Sequence, residues 1–136
     1  MINIDEMKKR ILGTLEEAGN ECVISLLPDV IDPTGDRREL EILTRSLREL
    51  LSEGSISIRM TSLPHGRQPL SAVDGLAEID KLSSNYIFNT HERCWEDSRS
   101  EGPPYFQIPE PEVVLTKTGR EKSVALLEKL GHEWWR

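Results

Sequence analysis

The chain has 136 residues, 37% of them hydrophobic and 30% charged, the size and composition of one globular domain toward its polar end. No apolar stretch approaches the roughly 20 residues that a membrane-spanning helix needs. A formal charge of −7 weighs against indiscriminate nucleic-acid affinity, because nonspecific binding is driven by Lys and Arg displacing counterions from phosphate.

The opening MINIDEMKKRILGTLEE mixes both charge signs at helical spacing. It carries neither the continuous apolar core nor the cleavage site of a secretory signal. Cys22 and Cys94 form no CxxC pair, so the expectation is a cytoplasmic protein with two free thiols.

In chain order, Ile4, Met7, Ile11, Leu15 and Ala18 recur at spacings of three and four and predict a first helix. Asn3 with Glu6 resembles a capping box, and Gly19 is the natural stop. The next stretch, NECVISLLPDVIDPTG, predicts a short strand at Cys22–Ile24 and one or two helical turns through Val30, limited by Pro28. Asp36 and Glu39 form a second capping-box pattern before the clearest helix, DRRELEILTRSLRELLSEG. Its leucines 40, 43, 47, 50 and 51 share one face, and Gly54 follows its last turn. From Ser55 to Met60 polar and apolar residues alternate at strand period.

Residues 61–112 break the pattern. SLPHGRQPL reads as a turn region, LSAVDGLAEIDKL as one short helix, and PPYFQIPEPE as extended chain. Residues 73–112 hold nine acids and three bases, so most of the negative charge sits in this excursion. Val113–Leu115 then predicts a strand and Lys117 to Trp134 a closing helix, with Thr116 as N-cap and Val124, Leu127, Leu130 and Trp134 as its apolar stripe.

The junction Leu115-Thr116-x-x-Gly119-Arg120 resembles the LTxxG junction that closes the wing of many bacterial winged helix-turn-helix regulators, including the multiple-antibiotic-resistance type. LTRSLRELLSEGSISIR is similar to the recognition helix of that superfamily and the strand it feeds. The resemblance covers residues 1–60 and 113–136. It implies an α+β winged-helix fold in a single domain, 1–136, with residues 61–112 as an acidic insertion between the wing strands. An ordinary wing is a hairpin of about ten to twenty residues, so this excursion departs from the family.

The resemblance implies that helix 36–53 enters the major groove of double-stranded DNA. Arg38, Ile42, Arg45 and Glu49 lie opposite the leucine stripe, flanked by Arg37, Thr44 and Arg48. Arginines there would contact phosphates or read guanine, while Arg59, His65 and Arg67 would add backbone contacts. The same segment holds five acids against four arginines, and Glu41–Arg45 and Arg45–Glu49 have the spacing of solvated helix pairs. Ile42 would meet a thymine methyl or mark a protein-binding surface. Trp134 and Trp135 would pack on the core or join two copies in a homodimer.

Two functions follow as expectations. One is a DNA-binding transcriptional regulator. The other is a winged-helix protein-interaction module that meets its partner through Ile42 and the acidic insertion. His65, His91 and His132 are dispersed, His91-Glu92-Arg93-Cys94 does not match a zinc-protease helix, and no phosphate loop or nucleophile elbow is present. No enzyme, metal or cofactor is expected.

Overall fold

The computed structural model describes residues 2–61, 68–98 and 110–136. Helix α1 (Ile4–Ala18) begins at its predicted cap, where Asn3 Oδ1 accepts from the Glu6 amide at 2.8 Å. It stops at Gly19, whose φ of 83° closes the last turn onto the Leu15 carbonyl. Strand β1 (Asn20–Cys22) and helix α2 (Val23–Val30) follow directly. The strand lies two residues earlier than expected, because Val23 is drawn into a helix that buries Val23, Leu26, Leu27 and Val30 together. Pro28 sits inside α2, near enough to its end to remove only one intrahelical bond.

Helix α3 (Arg38–Ser52) buries Leu40, Leu43, Leu47 and Leu50 completely and feeds strand β2 (Ile56–Met60). The excursion folds as helix α4 (Ala72–Asp80), a one-turn helix α5 (Leu82–Asn85), and a hairpin of β3 (Tyr86–Asn89) and β4 (Cys94–Asp97). Strand β5 (Pro111–Leu115) returns to the first sheet, and helix α6 (Lys117–Leu130) closes the described chain. The architecture is α+β.

The main sheet is antiparallel in the order β1-β5-β2, so the last strand lies between the first two. Val113 is opposite Glu21 on one side and Ile58 on the other, and is fully buried. One core joins this sheet to α1, α2 and α3, and the insertion extends it through Ile79, Leu82, Tyr86 and Trp95.

Helix α6 differs from its predicted form. Of the expected stripe only Leu127 is buried, while Val124 and Leu130 are about 40% and 39% exposed. The docked face is Gly119, Ser123 and Leu127 at a spacing of four, and the small side chains of the first two let α6 approach closely. Gly131, at φ 87°, ends the helix before Trp134, which therefore lies outside it.

Candidate interface on helix α3 and the insertion

Helix α3 presents four sides, and its sequence decides what each one meets. The leucine side enters the core. On the side toward α1, Ser46 is buried and its hydroxyl reaches the Ile4 carbonyl at 3.5 Å, while Glu49 and Glu53 pair with Lys8. Ile42 lies four residues before Ser46, half-buried and packed against the core, not on the outer face expected for it.

On the opposite side α3 meets α4 and α5 of the insertion. A guanidinium N–H of Arg37 donates to the Ser83 carbonyl, and Arg48 forms an ion pair with Asp80. Thr44 is half-buried. Leu51 packs beside Gly75, where an added Cβ would stand 3.1 Å from Leu51 Cδ2. The absence of a side chain at Gly75 is what lets α4 approach.

The N-terminus of α3 is covered from a third direction by the hairpin. Tyr86, Phe88, Trp95 and Asp97 share one face of it, since register pairs Tyr86 with Asp97 and Phe88 with Trp95. The Phe88 and Trp95 rings meet edge to face at 5.3 Å, and the Phe88 ring lies close against Gly35. Trp95 is 5% exposed, and its indole N–H donates to Glu39 Oε1 at 3.2 Å.

Glu39 is itself only 3% exposed. Its carboxylate also accepts from the Gly35 amide at 3.0 Å, the Thr34 amide at 3.0 Å and the Thr34 hydroxyl at 3.3 Å. The capping-box pattern had assigned this residue a local bond. Instead it ties the α2–α3 loop, the start of α3 and the insertion into one network. Its signal in the sequence was an acid on the same arc as Leu40 and Leu43, a charged group where apolar residues belong.

One stripe of α3 remains open: Arg38, Glu41, Arg45 and Ser52 are exposed. Arg38 is paired with Asp36 at 2.6 Å and holds that carboxyl below the usual aspartate value. Arg45 makes no ion pair or hydrogen bond among the described residues. Arg59 faces Glu112 across the β2–β5 pairing and bonds to it. Arg67 and His65 lie outside the described residues.

The terminal tryptophans are half-buried and stack edge to face at 5.1 Å. Trp135 packs over Gly13 of α1 and carries the Arg136 guanidinium 4.6 Å above its ring. The residues expected to read DNA are divided by the fold. Of these, Arg37 and Arg48 contact the insertion and Thr44 is half-buried, while Arg38 and Arg45 stay in solvent and Arg59 lies in the sheet.

Among the described residues no group of three or more His, Cys, Asp or Glu side chains is arranged to hold a metal ion, and both cysteines are free and half-buried. No described helix is long and apolar enough to cross a membrane. Comparison with protein-family models, with curated proteins and with solved structures finds no match.

Proposed function

We propose that the chain is a winged helix-turn-helix domain adapted as a protein-interaction module, whose third helix does not read DNA. The strand order β1-β5-β2, three helices ahead of the wing strands and the Thr116–Gly119 junction support the fold assignment. The observation that carries the functional reading is the cover over α3. Arg37 and Arg48 are committed to Ser83 and Asp80, and the hairpin seats Trp95 on Glu39 at the end of the helix that would enter a groove.

Charge points the same way. The open stripe mixes Arg38 and Arg45 with Glu41, and Arg38 already has Asp36 as counterion. A DNA reader releases counterions with unpaired cations, and here Arg45 is the clearest one on the helix. The contact surface is the insertion. It presents Val73 at 75% and Ile87 at 53% exposure beside exposed Asp74, Asp80, Glu92 and Glu96, which fits a partner surface that is apolar and basic.

The regulator reading keeps one specific support, the pair of exposed arginines Arg38 and Arg45 at helical spacing. Retention on mixed DNA fragments at about 50 and 200 mM salt separates the two. The interaction-module reading expects no salt-sensitive retention, with wild type and Arg38→Ala/Arg45→Ala alike. Selective retention that the double variant loses would restore the regulator. A Val73→Asp/Ile87→Asp variant that still captures every partner of the wild type would remove the insertion as the contact surface.

A further inference from the structure

On the side of the molecule formed by α1, β1 and α2, a cleft of about 370 Å³ is lined by Thr14, Glu17, Ala18, Glu21, Asp29 and Arg136. Two buried oxygen atoms here lack a donor among the described residues. Thr14 is 4% exposed, and its hydroxyl has no hydrogen-bond partner among the described residues. Glu21 Oε2 is likewise buried and unpartnered, and the group that faces it is the carboxyl of Asp29. The local cation, Arg136, acts on Asp29 through space and bonds to neither Asp29 nor Glu21. Arg136 is spent on Glu17, with Nη1 to Oε1 at 3.1 Å and Nη2 to Oε2 at 3.0 Å.

Two carboxyls that no described cation bonds, beside an orphaned buried hydroxyl, ask for a ligand that brings N–H donors and positive charge at once. We propose that this cleft binds a small alkylammonium or guanidinium compound, its cationic head held by Glu21, Asp29 and the Thr14 hydroxyl. An organic head group suits the donor set better than a metal ion, since Glu17, the third acid of the cleft, is paired with Arg136 and no three described His, Cys, Asp or Glu side chains are arranged to hold a metal.

The pair meets its own repulsion by keeping a proton. Burial, and then Asp29, push the Glu21 carboxyl up to about 7. The other charged groups near it are Glu17 on α1, which Arg136 and His132 face from the C-terminal segment, and Glu112 on β5, opposite Cys22. A bound cation replaces the shared proton, so binding releases it. Affinity must then rise with pH by up to about tenfold per unit below 7 and level off above.

The test is calorimetric titration of the full chain with agmatine from pH 5.5 to 8.5, in two non-amine buffers of different ionisation enthalpy. Saturable binding, proton release below pH 7 and the rising pH profile are expected from the wild type. Glu21→Gln and Asp29→Asn should each weaken binding at least tenfold and abolish the release. Thr14→Val should weaken it several-fold, and the surface control Glu78→Gln should leave it unchanged. No saturable binding up to about 10 mM, or a pH-independent affinity, would overturn the proposal whether or not the variants fold. So would folded Glu21 and Asp29 variants that bind as the wild type does.

Discussion

The indole N–H of Trp95 donates to the buried carboxylate of Glu39 at 3.2 Å, joining residues 56 positions apart in the chain. Glu39 would otherwise be a charge without enough donors in the core. With Trp95, the two loop amides and the Thr34 hydroxyl it becomes the point where the insertion is fastened to α3. Replacing Glu39 with Gln turns an acceptor-only group into one that aims N–H bonds at other donors. The expected loss is about 2–4 kcal/mol, because hydrogen bonds to a charged group are lost and buried amides go unpaired. Trp95→Phe keeps the ring stacking and removes one bond, for about 1–2 kcal/mol. Urea unfolding of the two variants checks the order, and a Trp95→Phe protein as stable as the wild type would mean that Glu39 is held by the loop alone.

Gly119 is a sharper test of the strand-to-helix junction. A Cβ built there would overlap the Ser55 carbonyl, which is backbone and cannot swing away. That carbonyl is fixed by accepting from the Thr116 amide at 3.1 Å, and the Thr116 hydroxyl caps α6 by accepting from the Gly119 amide at 3.0 Å. Gly119→Ala should cost about 3 kcal/mol or more, well above an ordinary surface glycine, because a backbone element must move. Thr116→Ala should cost only about 1–2 kcal/mol, the usual scale of a lost helix cap. Thermal unfolding of both proteins reads the comparison directly.

The docking of α4 on α3 gives a third prediction. Arg48 and Asp80 are both about half exposed, so Arg48→Ala should change stability by less than about 1 kcal/mol. Gly75 is different, since its missing side chain leaves the space that Leu51 and Ile58 fill. Gly75→Val should cost about 1–3 kcal/mol by overpacking that contact. It should also raise amide exchange in α4 and α5 more than in α1. Uniform exchange across the molecule would show that the insertion does not open separately.

Much of this fold is legible in the sequence where the local signal and the tertiary contacts agree. Asn3, Gly19, the leucines of α3 and Thr116 do what their spacing says, because capping and one-sided burial are local properties. The failures have a common cause. Helix α6 docks through Gly119 and Ser123, which an apolar stripe does not register, so Val124 and Leu130 were assigned to a core they do not enter. The hairpin is stabilised by Phe88 and Trp95 packing on Gly35 of a distant loop and Glu39 at the start of α3. Its own turn, NTHERC, contributes the Asn89 side chain, which accepts from the His91 and Glu92 amides and donates to Glu96. The candidate interface was legible as a set of arginines. Which of them stay free depended on where Ser83 and Asp80 fall, and that is a matter of packing.

Glu21 makes the pH dependence of stability predictable in sign. Its carboxyl is raised from 4.5 to about 7 in the folded protein, chiefly by burial and then by Asp29. Between those values the folded state holds a proton that the unfolded state has released. Its contribution is therefore fully present below about pH 4.5 and lost as pH rises through about 7. Asp36 works the other way, since Arg38 lowers its carboxyl and that contribution is lost as pH falls. The two are separated by comparison with Glu21→Gln, whose amide stands in for the protonated carboxyl and does not titrate. Relative to that variant, the wild type should lose stability steadily between about pH 5 and 7 and change little above 8. Urea midpoints measured across this range give the difference curve. A curve that is flat, or that rises with pH, would mean that Glu21 and Asp29 share no proton.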